Sequence, residues 1–103
     1  MKQKISGNGI VGNAVYGTNS ERIRIKLTGD LDGGIVTMFE WYGDGTPDLN
    51  GSEWQSFATI NAAAVGSNGL DYNIGTDVDW YASVSGATSP DAYLIVSPIG
   101  LGA

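Results

Sequence analysis

The chain has 103 residues, no cysteine, no histidine, and a net charge of −6 from five basic and 11 acidic side chains. That length suits one domain of roughly 100–200 residues, and the missing residue types exclude disulfides, thiol chemistry and the common transition-metal ligands. With 16 glycines, about twice the usual share, and a charged fraction of 16% against a usual roughly 25%, the surface reads as one that rests against other protein.

Residues 1–20 read as a Gly/Asn-rich N-terminal arm ahead of a β-sandwich domain at 21–103. MKQKISGNG has basic residues but no apolar segment after them, so it does not read as a signal peptide. Gly-Asn-Gly-Ile-Val and Gly-Asn-Ala-Val-Tyr then repeat loosely over 7–16. Short apolar pairs between Gly-Asn breakers fit a short edge hairpin with turns at the Gly-Asn steps, or an extended arm that orders only against a neighbour.

From Glu21 the period is two. Ile23, Ile25 and Leu27 point one way, and Arg22, Arg24, Lys26 and Thr28 point the other, as in an antiparallel strand with one solvated face. Gly29 to Gly34 reads as a turn that makes strands 22–28 and 35–42 a hairpin. In the second of these, Ile35, Thr37, Phe39 and Trp41 share one face, and Val36, Met38, Glu40 and Tyr42 share the other. Both faces are fairly apolar, so this strand reads as central or as half covered by a neighbour.

Gly43 to Gly51 has a turn former at almost every place. Glu53 to Ile60 follows as a strand, so 34–57 is an aromatic-rich hairpin around which the chain is organised. Asn61 to Gly66 is too short to nucleate a helix and reads as a loop. Ser67–Gly69 and Gly75–Asp77 read as turns on either side of a strand at 70–74. Val78 to Ser85 alternates strongly, with Trp80 facing in and Tyr81 facing out. A loop at 85–90, a strand at Tyr93–Ser97 and a departing tail from Pro98 complete the chain. About seven short strands at this spacing predict an all-β fold: a single antiparallel β-sandwich, Greek-key or jelly-roll-like, with an N-terminal arm. No apolar run approaches the roughly 18 residues of a membrane span.

Every basic residue lies within the first 26 positions: Lys2, Lys4, Arg22, Arg24 and Lys26. Direct binding to nucleic-acid phosphates is not expected from so acidic a chain. The two basic clusters are either solvated strand polarity or a surface for an acidic partner.

Catalysis is not expected, because the usual general base and the best nucleophile are absent. Three carboxylate pairs, Asp30 with Asp32, Asp44 with Asp48 and Asp77 with Asp79, have the chemistry of a glycosidase pair, yet each sits in or beside a turn, where Asp serves the backbone. Gly43-Asp-Gly-Thr-Pro-Asp48 resembles the calcium loop of thrombospondin type-3 repeats, D-x-D-G-D-G-x-P-D. The likeness covers six residues, and Trp41-Tyr42 stands where that pattern has its first Asp-x-Asp. Asp44, Asp48, Asn50 and Glu53 offer oxygens, and calcium takes about 6–8. A plain turn explains the same residues. Trp41, Tyr42, Trp54, Tyr72, Trp80, Tyr81 and Tyr93 are either core packing or a sugar-stacking platform. No catalytic, cofactor-binding or metal-binding residue is therefore assigned.

Over residues 22–97 the layout is similar to that of small virion structural proteins of tailed phages. An Ile-x-Ile-x-Leu strand is followed by Gly-Gly, then VTMFEWYGDGTPDLNGSEWQSF, then Ser85-Gly-Ala-Thr-Ser-Pro90 before a short last strand. The resemblance implies a non-enzymatic capsid decoration or cement protein, or a fibre-like domain, located in the virion after synthesis in the host cytoplasm. It implies the major capsid protein or other virion proteins as partners, a homotrimer, no nucleic acid and no membrane. The basic arm would then anchor to an acidic capsid surface. The alternative is a carbohydrate- or receptor-binding module, calcium-assisted, built on Trp41, Tyr42, Asp44 and Asp48.

Overall fold

The computed structural model describes residues 1–18, 22–61, 70–74 and 78–99. Among these residues nine strands form two antiparallel sheets: β1 (Lys2–Ile5), β2 (Gly9–Ile10), β3 (Tyr16–Thr18), β4 (Arg22–Asp30), β5 (Ile35–Trp41), β6 (Trp54–Ile60), β7 (Leu70–Asn73), β8 (Val78–Ser85) and β9 (Asp91–Ile99). The first sheet has the order β1-β9-β4-β7. The second has the order β2-β8-β5-β6, with β3 also beside β8.

The pairings nest around the turn after β5. β5 pairs with β6, β4 with β7, β2 and β3 with β8, and β1 with β9. The chain is thus one long hairpin folded at 42–53. The β4–β9 and β5–β8 pairings roll that ribbon into two layers. This is the strand order of an eight-stranded jelly roll, with one strand broken into β2 and β3 by a 3-10 turn at Val11–Asn13. The expected sandwich is borne out, with nine strands among the described residues where about seven were expected.

Alternation sets the core. Ile23, Ile25, Leu94 and Val96 face inward from the first sheet, and Val36, Met38, Ile60, Trp80, Ala82 and Val84 from the second; all are buried. β5 is central, between β6 and β8, as its two apolar faces predict. The product is a slab of 36 × 35 × 17 Å with two broad faces.

Three expectations need correction. β4 and β5 are not a hairpin, because they lie in different sheets and residues 31–34 cross between them. Leu31 is buried at the crossing, and Asp32 (φ 50°) and Gly33 (φ 84°) turn the chain across the core. An amphipathic strand beside a Gly-rich turn suits a hairpin or a crossing equally; the nine-residue pairing of β4 with β9 decides between them. Residues 1–18 are not a free arm: β1 extends the first sheet, β2 and β3 extend the second, and Ile5 and Val11 are buried. The tail does not leave at Pro98, since β9 runs to Ile99. Pro98 is tolerated because pairing on the β1 side of β9 ends where Met1 meets Val96, so at position 98 that side needs no donor. The readings of 62–69, 75–77 and 100–103 lie outside the described residues.

The crossings 6–8, 31–34 and 86–90 meet at one end of the slab. There the Asp32 carbonyl accepts from Thr88 N–H (3.2 Å), and its carboxylate accepts from Ser89 N–H (3.0 Å). The long turn 42–53 lies at the opposite end.

Candidate functional site

The outer face of the second sheet carries an aromatic row. Its position depends on one extra residue in β6. Met38 pairs with Ala58 and Phe39 with Ser56, so Phe57 is a bulge. A one-residue slip moves every later side chain to the opposite face. Ala58 and Ile60 therefore point inward while Trp54 points outward beside Trp41. Trp41 and Trp54 meet edge to face at 4.9 Å, Trp54 and Tyr81 at 4.7 Å, and Phe39 stacks on Tyr81 at 4.9 Å. The four rings are half-buried, largely by one another. Burial also raises the Tyr81 hydroxyl above the ordinary tyrosine value. Around them lie Thr37, Ser56, Ser83 and, at 39% exposure, Ile35. Asp79 is the charged exception on this face among the described residues.

The turn 42–53 is fastened to that row. Tyr42 N–H donates to the Glu53 carbonyl (3.0 Å), and the Tyr42 hydroxyl donates to the Ser52 carbonyl (3.3 Å). The Asp48 carboxylate accepts from Asn50 N–H (2.9 Å). The Asp48 carbonyl accepts from both Gly51 N–H (2.8 Å) and Trp54 Nε1 (2.8 Å). The Trp41 ring lies under the turn: a Cβ on Gly43 would sit 2.6 Å from it, and one on Gly51 at 3.3 Å. A side chain at Gly43 would have to displace the Trp41 ring, whereas at Gly51 a shift of a few tenths of an ångström would admit one.

The candidate residues separate on this frame. Asp48 serves its own turn, and among the described residues no three carboxylates converge to hold a metal ion. The Asp30 carboxylate accepts from Asp32 N–H (2.8 Å), so that pair too serves the backbone. Asp77 lies outside the described residues. Trp80 is in the core, packed on Tyr16 at 5.0 Å, and Tyr72 packs on Phe57 at 6.2 Å. Tyr42, at 62%, is the most exposed large hydrophobic side chain among the described residues, and Tyr93 (39%) lies on the other broad face. Of the seven aromatics considered, three join the row. Phe39 was not among them, although its alternation with Trp41 was the signal.

The basic residues occupy the outer face of the first sheet. Arg24 clasps Asp71 through Nε (2.8 Å) and Nη2 (3.2 Å), with Arg22 at 3.4 Å from the same carboxylate. The hydrogen bond from Arg24 holds the Asp71 carboxyl below, and the Arg24 guanidinium above, their ordinary values. Lys4 pairs with Asp91, which raises the Lys4 ammonium.

No protein-family model, curated protein or solved structure matches the chain.

Proposed function

We propose that this chain is a non-enzymatic virion structural protein, a decoration or cement protein that binds the outer surface of a phage capsid. The observation that carries this reading is the segregation of surface chemistry on a thin slab. One broad face holds every basic side chain, and the other holds an aromatic and hydroxyl field with Asp79 as its one charge among the described residues. Two chemically distinct broad faces suit a module that lies flat on one surface and presents the other. Jelly rolls serve in viral capsid and lectin domains, an analogy of fold alone. Binding to the assembled shell and not to its parts would stabilise the particle by mass action. A homotrimer built through head-to-tail contacts would close on a three-fold axis.

The test is re-addition. Particles assembled without this gene product are incubated with the purified protein and sedimented. Saturable co-sedimentation, with a higher temperature of particle disruption, is expected. Protein that stays in the supernatant at every ratio sinks the reading.

A second reading, a carbohydrate- or receptor-binding module, draws on the Phe39, Trp41, Trp54 and Tyr81 row beside the turn 42–53. Sugar rings stack on exposed aromatic faces, and here the rings largely cover one another. A glycan array with and without calcium separates this reading from the first.

A further inference from the structure

The two basic clusters of the sequence become one surface through β9. β1 and β4 flank it, so Lys2 and Lys26 both stand beside Ile95, and Lys4 and Thr28 beside Tyr93. At about 4.8 Å between strands, Lys2 and Lys26 are about 10 Å apart at the backbone. Arg24 and Arg22 continue the row. Tyr93 is held under two cations, with Lys2 Nζ 4.9 Å and Lys4 Nζ 4.8 Å from its ring centroid.

The acids on this face are occupied. Asp71 binds Arg24 and Arg22, Asp91 binds Lys4, and Asp30 caps its own turn. Lys2 and Lys26 have no ion-pair partner among the described residues. Among the described residues, five basic and three acidic side chains leave the face at +2 on a chain of −6. Such a local reversal of sign orients an approaching partner.

We propose that the outer face of β1, β9 and β4 is the docking surface, and that what it docks on is a protein surface bearing carboxylates, received between Lys2 and Lys26 over Ile95. This rests on the capsid-binding reading for the existence of a partner, and adds the face and the chemistry. A phosphate polymer is disfavoured, because it offers no apolar contact to Tyr93, Ile95 and Ile99, whereas a glutamate side chain brings methylenes beside its carboxylate. A protein surface places discrete carboxylates with apolar contacts between them, which matches Tyr93, Ile95 and Ile99 set among the cations.

The experiment compares wild type with Lys2→Glu/Lys26→Glu, and thermal melting first verifies that the double variant folds. Labelled poly-L-glutamate and polyphosphate are titrated at about 50 mM and about 300 mM salt. Expected is binding of polyglutamate but not polyphosphate, weakened by salt and by about tenfold or more in the variant. Equal binding of polyphosphate, no binding of polyglutamate by wild type, or an unchanged variant would overturn the proposal. Self-association at low salt that the variant abolishes would also overturn it, by assigning the face to a second copy. In the particle assay, wild type and variant sedimenting alike overturns this proposal and leaves the capsid reading intact. Wild type failing to sediment while polyglutamate binds as expected supports the face chemistry and removes the capsid reading.

Discussion

The side-chain amide of Asn8 pairs with both backbone groups of Ala87, 79 positions away. Nδ2 donates to the Ala87 carbonyl at 2.9 Å, and Oδ1 accepts from Ala87 N–H at 2.9 Å. Asn8 thus acts as a one-residue strand partner that ties the β1–β2 crossing to the β8–β9 crossing. Replacing it with alanine leaves both Ala87 groups unpaired beside a buried side chain, at a cost of about 2 kcal/mol. For a domain near 100 residues that lowers Tm by about 8–16 °C. Asn8→Asp keeps the acceptor and loses the donor, so about half the loss is expected. Thermal melts of the two variants check this; equal losses would show that the paired geometry is not what matters.

Gly29 has φ +91°, and a Cβ there would sit 2.4 Å from the Asp91 carbonyl oxygen and 2.9 Å from the Ala92 Cα. Both neighbours are backbone of the strand paired with it. Gly45 has φ +77° with open space around its Cβ position. Gly45→Ala is expected to cost about 1 kcal/mol from backbone conformation alone. Gly29→Ala should cost at least about twice that, because β4 and β9 must also separate. Comparable denaturant midpoints for the two variants would refute the close approach.

Trp41 and Trp54 touch, yet their indole N–H groups differ. Trp54 Nε1 donates to the Asp48 carbonyl, whereas Trp41 Nε1 is buried with no hydrogen-bond partner among the described residues. Trp54→Phe removes a hydrogen bond and should cost about 1 kcal/mol more than Trp41→Phe, which removes none. Hydrogen exchange supplies a second readout: the Asn50 and Gly51 amides should exchange faster in Trp54→Phe, as the turn loses its anchor.

The Asp71–Arg24 pair makes a pH prediction. The Asp71 carboxyl is held below the ordinary aspartate value of 3.8 in the folded chain. Its stabilisation is therefore complete above that value and is lost as pH falls through the lower folded one. The pair is exposed, so the effect is small. Asp71→Asn should reduce the acid dependence of stability below about pH 4 and leave the slope near neutrality unchanged. NMR titration of the Asp71 carboxyl gives the direct check; an ordinary midpoint would deny the pairing in solution.

Much of the fold is legible from local pattern. Alternation placed Ile23 and Ile25 inward, Arg22 and Arg24 outward, Trp80 inside and Tyr81 outside, because successive strand side chains face opposite ways. The turn formers at 43–51 marked the hairpin around which the rest nests, and the apolar character of both faces of β5 marked it as central. The candidate site was less legible. Nothing near Trp54 distinguishes a regular strand from one with a bulge at Phe57, and that single residue decides whether Trp54 joins the core or the outer aromatic row. The Gly29–Gly34 segment reads the same for a hairpin and for a crossing.

Local pattern carries most of the inward-facing positions, the places where turns fall, and the chemistries that lack their side chains, because each depends on neighbours within a few positions. The tertiary structure alone decided which strands meet. Pairing β9 with both β1 and β4 brought Lys2 beside Lys26, and the crossing at Ala87 gave Asn8 its partner. Those choices rest on burying two sheets against each other, a balance over the whole chain that no short segment encodes.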